Sequence, residues 1–438
     1  MSKLSLSEEY NLLLYNNNIQ KKIDTIWAYP NNSHNVIKNY GWKIHISAVL
    51  ANVIDLAKKF LNLNKTRKWD FKIVSSISDF ERINMGYYGN SQVGKFITIY
   101  PTPSDVVNTL ELLYYEFHND VGIQVGSDYS YKLSSCIYYR FGTLLEDVKQ
   151  IDNRDKALKP FGNIVNIPDY TLKHYHKLPS RYLVLKKLKQ LGPTGVFLGL
   201  DIQKKKKIII RYSSKFYNLE LCNVDGNDRL LSSSWLLNKK DILSEPGFET
   251  ILDTFYIDNS VFMVTEYIEG KTFDELASKN ILVQLTRSDK VEIFNQLLYL
   301  VNKLNDMGIT FRDLSFSNVL LTKNKKVKLI DFNYAVSESG LSNFAGIRLT
   351  PSGTYGFYDP KIQESMKFSD RYSLAKFLYF LIYPEKYIEF ITQIDVNKSY
   401  FEIKSILKKV TVQKLPLRYC EIYNKLINGE KVERVVLL

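Results

Sequence analysis

Residues 40–48, YGWKIHISA, alternate strictly. Trp42, Ile44 and Ile46 fall on one side, and Lys43, His45 and Ser47 on the other. Alternation with period two marks a half-buried strand. The same reading predicts a strand over 42–49, a helix over 50–62, a strand over 69–75 and a helix over 76–85. A strand over 94–100, a helix over 104–119 and a strand over 136–141 follow. This mixture predicts an α+β domain over 36–153, preceded by an Asn-rich N-terminal extension, 1–35, with one or two helices. Residues 154–180 hold three prolines and little periodicity, and are expected to be a linker. A second domain opens near 181, with a strand-rich lobe over 181–268 and a helical lobe over 269–438. Its longest periodic stretch is expected to start at Ser288, a good N-cap, and to stop at Gly308. There is no internal repeat.

The polar positions of the first domain are unusual. Lys43 and His45 share a strand face, WDFKIV carries Lys72, and SDFERINMG carries Arg82. GKFITIYP carries Lys95 on a third strand, and CIYYRFG carries Arg140 on a fourth. Each cation lies in or beside an apolar run, where an unpaired charge is costly. One lysine alone would carry its ammonium out to solvent. Five cations and a histidine together point to an anion site.

The second domain carries a different constellation. GITFRDLSFSNVLL places Asp313 five residues before Asn318, and VKLIDFN places Asp331 after an apolar strand. This order resembles the protein-kinase catalytic loop followed by the metal-binding aspartate. Asp313 would orient a substrate hydroxyl or accept its proton, and Asn318 and Asp331 would offer oxygens to Mg2+. LKQLGPTGVFLGLD, with Gly192, Gly195 and Val196, resembles a phosphate loop, and VFMVTEYIEG, with Glu266, resembles the hinge that holds adenine. PSGTYGFYDP and SDRYSLAKFLYFLI, with Asp370, stand where an activation segment ends and the next helix opens. Two positions depart from the pattern. Arg211 stands where the phosphate-binding lysine is expected, and Lys239 or Lys240 where its acidic partner is expected. Arginine is a planar fork rather than a substitute for lysine. Lys215, Asp241 and Glu245 are the residues nearby that would compensate.

Composition narrows the partners. The net charge of +13 favours anions. The run Lys204–Lys207 lies between two strand-like segments and reads as a solvated hairpin turn, and no nucleic-acid signature is present. A nucleotide or a phosphorylated peptide is therefore expected, not a nucleic acid. No window is long and apolar enough for a spanning helix or a signal peptide. The three cysteines, Cys136, Cys222 and Cys420, lie far apart, which predicts no zinc site and a cytoplasmic setting.

Taken together, WKIH, FK, GKFITIYP and YYRFG, followed by a kinase-like loop of the form D-L-S-x-x-N with Ser315, resemble class III and IV lanthipeptide synthetases over roughly residues 36–435. The resemblance implies a phosphothreonine-lyase-like domain followed by a bilobal protein-kinase-like domain. It implies that the kinase phosphorylates Ser or Thr of a ribosomal precursor peptide with ATP or another nucleoside triphosphate and Mg2+. The lyase would then eliminate phosphate to give dehydroalanine or dehydrobutyrine. Lys72 would be the base and His45 the acid. Lys43, Arg82 and Arg140 would clamp the phosphate, with Lys95 assisting. The cyclase domain of that family has no counterpart here. The thioether-forming step is expected to be absent, supplied by a separate cyclase chain, or lost by truncation. Two other readings remain: a lyase fused to a pseudokinase that binds nucleotide or leader peptide, and a phosphothreonine lyase acting on folded phosphoproteins.

Overall fold

A computed structural model of the chain describes residues 4–22, 25–31, 40–86, 88–89, 91–143, 178–191, 194–217, 224–338, 353–359, 366–394 and 400–436. The chain divides into two compact units. One holds Met1–Lys205, Arg211–Asn227 and Tyr256–Phe262; the other holds Lys206–Ile210, Asp228–Phe255 and Met263–Leu438.

The first unit is built on an antiparallel sheet. Strands β1 (Ile19–Lys21), β2 (Trp27–Pro30), β3 (Tyr40–Ile46), β4 (Phe71–Val74), β5 (Ile97–Ile99), β6 (Tyr129–Ser130) and β7 (Ile137–Thr143) lie in the order β1-β2-β4-β5-β3-β7-β6. Helices α1 (Leu6–Asn16), α2 (Val53–Arg67), α3 (Ile77–Asn84) and α4 (Val106–Phe117) pack with it. Ile44, Ile46, Ile97, Ile99, Phe71, Ile73 and Tyr139 share one core with Phe60 of α2 and Leu110, Leu113 and Phe117 of α4. Phe60 meets Phe71 edge-on at 4.9 Å. This burial is the consequence of the alternation in β3: one face of each strand is committed to the helices.

Residues 1–35, expected as an extension, supply α1, β1 and β2 to this unit. A capping box between Ser5 and Glu8 starts α1. Tyr10 of α1 is fully buried, and its hydroxyl donates to the Val74 carbonyl at 2.7 Å. The strand expected over 94–100 contracts to Ile97–Ile99. Lys95 lies in the turn before it, its N–H bonded to the Gln92 carbonyl. Gly94 makes that turn with φ +80°.

Strands β8 (Tyr182–Leu191), β9 (Thr194–Asp201), β10 (Lys206–Ser214), β11 (Ile251–Ile257) and β12 (Ser260–Glu266) form a second sheet in the order β11-β12-β10-β9-β8. Of the run Lys204–Lys207, expected as a hairpin turn, Lys204 and Lys205 lie in the exposed turn between β9 and β10, whereas Lys206 and Lys207 already open β10. The segment after β10 joins the first unit: Phe216 packs against Val49, Val93 and Ile123, and the Ser214 hydroxyl lies 3.4 Å from the Gln124 side-chain oxygen. Residues 154–177 of the expected linker lie outside the described residues.

The second unit is mainly helical: α5 (Gly226–Leu237), whose first two residues belong to the first unit, α6 (Lys240–Leu243), α7 (Phe273–Ser278), α8 (Ile281–Gln284), α9 (Arg287–Asp306), α10 (Met366–Ile382), α11 (Pro384–Gln393), α12 (Tyr400–Val410) and α13 (Leu417–Ile427). Strands β13 (Gly270–Thr272), β15 (Val319–Thr322) and β16 (Val327–Leu329) make a small sheet, and β14 (Ile309–Thr310) pairs with β17 (Val336–Ser337). The N-cap of α9 is Thr286, not Ser288: a reciprocal capping box with Asp289 satisfies two helix-end groups that Ser288 would leave open. The helix stops before Gly308, at φ +70°.

Gly94 is a tight point of the first unit, closed by backbone on a left-handed φ. A Cβ there would stand 2.6 Å from the Ile123 carbonyl oxygen, on a backbone that L-residues rarely adopt. Gly94→Ala is therefore expected to destabilise the protein by more than about 1 kcal/mol in chemical denaturation.

Candidate functional site

The strand register gathers the first cluster. Lys72 on β4 stands directly opposite Thr98 on β5, Thr98 opposite His45 on β3, and His45 opposite Tyr138 on β7. Directly paired residues point to the same face of a sheet. One row across four strands therefore carries Lys72, Thr98, His45 and Tyr138. In the next row Lys43 stands opposite Arg140. This face is not solvated: His45, Lys72, Thr98 and Arg140 are all buried, and Lys43 is half-buried.

The residue that organises the face is Asp128, which sequence reasoning missed. It is 1% exposed. Its carboxylate pairs with His45 Nδ1 and lies 3.7 Å from Lys95 Nζ and 3.8 Å from Arg140 Nε. The Ser127 hydroxyl donates to it at 2.6 Å. Its loop is fastened to the end of β3, where the Ser47 hydroxyl donates to the Ile123 carbonyl at 2.7 Å and Asn52 to the Val121 carbonyl at 2.8 Å. Asp128 lies 83 residues from His45 in a loop without periodicity. The available signal was chemical: buried cations require a carboxylate.

Electrostatics follow from this packing. Burial pushes the His45 imidazole down to about 3, and Lys95 and Arg140 add to the effect against the opposing pull of Asp128. Lys95, His45 and Arg140 hold the Asp128 carboxyl well below the usual carboxylate range, overcoming its burial. A carboxylate only accepts hydrogen bonds, so the neutral ring donates from Nδ1 and presents Nε2. Lys95 and Arg140 stand beside Asp128, and Lys43 and Lys72 lie on the same sheet face, a gathering of cations of the kind that binds a phosphate. Lys72 Nζ lies over the Trp27 ring, 4.3 Å from its centroid. Arg82 sits half-buried on α3, outside the two rows. Thr98 is 1% exposed, and its hydroxyl has no hydrogen-bond partner. An unpaired buried hydroxyl costs about 1–3 kcal/mol.

The second cluster lies within the other unit. Asp313 Oδ1 accepts from the backbone N–H and the hydroxyl of Thr354, each at 2.8 Å, and Asp313 Oδ2 accepts from Asn318 Nδ2 at 2.8 Å. Burial, with Asp331 adding, pushes the Asp313 carboxyl up to about 6 against these hydrogen bonds. Asp370 holds the loop from below: its carboxylate accepts from the Phe311 and Arg312 N–H groups at 2.8 Å and from Asn305 at 2.9 Å. Phe332 is buried edge-on against Phe311 and Phe248. Asp331 has φ +67°, and its N–H donates to Glu249 at 2.7 Å. Asp331 Oδ1 is buried without a partner, and Asn318 donates from its nitrogen only, so two oxygens remain for a hard cation.

The nucleotide-binding expectations divide. Gly192 lies outside the described residues. Gly195 faces Tyr212 and Phe197, which a Cβ would meet at 2.8 and 2.9 Å. Val196 is half-buried on β9, Arg211 is buried on β10, and Glu266 is exposed at the end of β12. Lys239 and Lys240 do not lie on α5, where the acidic partner was sought. Lys239 caps α6 and sits over Trp235, with burial pulling its ammonium below its ordinary value. Glu245 is held by Lys303 and Tyr299, and Lys215 and Asp241 are exposed. None of the three is shown beside Arg211.

Comparison with known proteins agrees with this division. Residues 13–167 match the family model described as RamC, N-terminal domain, and residues 240–434 match the protein kinase domain. The chain is a mixed α/β protein in which a sheet-rich N-terminal domain precedes a kinase domain. Serine/threonine-protein kinase nekl-2 of Caenorhabditis elegans is 31% identical over 146 residues, 31% of this chain and 40% of that protein. The hormonally up-regulated neu tumor-associated kinase homolog A of Xenopus laevis is 28% identical over 45% of this chain and 26% of its own length. The probable serine/threonine-protein kinase KIN1 homolog of Encephalitozoon cuniculi is 27% identical over 44% of this chain and 35% of its own length. The matches thus span less than half of each relative. Among the described residues no helix is long and apolar enough to cross a membrane.

The His45–Asp128 pair makes stability depend on pH. Between about 6.5, the ordinary histidine value, and about 3, the unfolded chain binds the proton that folded His45 refuses. The depressed Asp128 acts in the same direction at lower pH. Stability is expected to be full above about pH 6.5 and to fall on acidification. Melting temperatures taken from pH 7 to 4.5 should fall less steeply in His45→Gln than in the wild-type protein.

Proposed function

We propose that this chain dehydrates serine or threonine residues of a ribosomally made peptide in two steps, phosphorylation and then elimination of phosphate. The observation that carries the reading is the pair of rows on one sheet face: an amine, an imidazole and further cations converge in a protein that also holds a kinase loop.

In the first step Asp313, fixed by Thr354 and Asn318, orients the substrate hydroxyl and receives its proton. Asn318 and Asp331 would hold Mg2+, which supplies charge neutralisation to the phosphates of ATP. In the second step Lys72 takes the α-proton, the Cβ–O bond breaks, and phosphate departs, leaving a carbon–carbon double bond. Lys43 and Arg140 grip the phosphate. His45 delivers a proton to the leaving oxygen through Nε2. Burial, with Lys95 and Arg140 adding, keeps His45 neutral; a phosphate dianion beside it would counter those cations and bring the proton on. Lys95 steadies Asp128 and through it the ring. Arg82 would reach the phosphate only from the edge of the face.

A second reading rests on Arg211. With arginine on β10 where the phosphate-binding lysine is expected, the kinase fold would bind nucleotide or peptide without transferring phosphate, and the lyase would act on peptides phosphorylated elsewhere.

Incubation with a candidate precursor and Mg-ATP, followed by mass, separates the two. Gain of phosphate and then net loss of water supports the first reading. Elimination from a synthetic phosphopeptide with no phosphate ever added supports the second. Lys72→Ala should let phosphopeptide accumulate; dehydration at the normal rate would refute its role as base. Asp331→Asn should abolish phosphorylation and spare elimination. The initial phosphorylation rate should decline below about pH 6, as Asp313 becomes protonated.

A further inference from the structure

Elimination acts on two atoms a bond apart in the substrate: the proton leaves Cα and the oxygen leaves Cβ. If Lys72 serves the first and His45 the second, the reacting carbons lie over the strand between them. That strand is β5, and Thr98 is the residue on β5 paired with both Lys72 and His45. Its strand neighbours Ile97 and Ile99 face the apolar core. The hydroxyl of Thr98 is shut off from water and has no partner. Valine has the same shape, suits a strand, and would leave nothing unpaired. A threonine at this place therefore asks for a partner that arrives with the substrate.

We propose that Thr98 is the floor of the phosphopeptide pocket and that its hydroxyl donates a hydrogen bond to a phosphate oxygen of the bound phosphoserine or phosphothreonine. This rests on the lyase reading of the site and adds to it a substrate contact on the strand between base and acid. The contact is neutral, so it adds direction where the surrounding cations add attraction. A hydroxyl held between the two proton-transferring groups fixes how the ester lies between them. Thr98 does not itself exchange a proton with the substrate.

The test uses the full-length chain, a synthetic phosphothreonine peptide and inorganic phosphate. Thr98→Val is expected to lower kcat/KM for elimination by about ten- to a hundredfold. It should weaken the binding of inorganic phosphate, measured by calorimetry, by about tenfold or more. Its melting temperature should equal or exceed that of the wild-type protein, because an unpaired group has been removed. Thr98→Ser, which keeps the hydroxyl, should stay within about threefold of wild type. Unchanged elimination and phosphate binding in Thr98→Val would overturn the proposal while leaving the lyase reading intact. A lowered melting temperature, or an equal loss in Thr98→Ser, would overturn it in favour of a packing role. A wild-type protein that neither binds phosphate nor eliminates it would overturn the lyase reading, and Thr98 with it.

Discussion

Everything on the polar face of the first sheet depends on one buried carboxylate. Lys95 and Arg140 are nearly closed off from solvent, where a cation needs a negative neighbour, and buried His45 needs an acceptor for its Nδ1 proton. Asp128 is both. A buried ion pair adds little net stability, because the desolvation of both groups offsets their attraction. Its effect here is orientation. Asp128 fixes which nitrogen of His45 faces away from it, and it stands 3.7 Å from Lys95 Nζ and 3.8 Å from Arg140 Nε. The loop that carries it is held by Ser47 and Asn52, so the position of the charge is a property of the scaffold.

The two clusters are electrostatic opposites. Around Asp128, basic neighbours pull a carboxyl down; around Asp313, burial and a second carboxyl push one up. The first site gathers cations around a carboxylate. The second concentrates acidic oxygens, which suit a phosphate only when a cation accompanies it.

Much of this was legible in the sequence. The alternation in YGWKIHISA predicts both faces of β3, and the face that holds Trp42, Ile44 and Ile46 is buried as expected. The strand lysines and Arg140 fall on the opposite face because strand residues two apart share a side. What the sequence concealed lies in loops and in partnerships across long separations. Asp128 has no periodic context. Thr98 looks like any β-branched strand residue until its pairing with Lys72 and His45 is known. The segment 1–35 seemed detachable because its asparagines mask two short strands and a buried tyrosine. In the kinase half, spacing alone located Asp313, Asn318, Asp331 and Asp370, since those motifs are local. The acidic partner of Arg211 was sought at Lys239 and Lys240, and helix α5 ends before both.

The passage after β10 carries a consequence for where the chain can be divided. Phe216 completes a small apolar cluster with Val49, Val93 and Ile123, although it lies far beyond the linker in the sequence. A gene cut at that linker would yield a first half missing one of its own wall residues, and a second half with that residue exposed. The proline-containing stretch is therefore not the boundary of the first unit's packing: one wall of its smaller apolar cluster is supplied from beyond it.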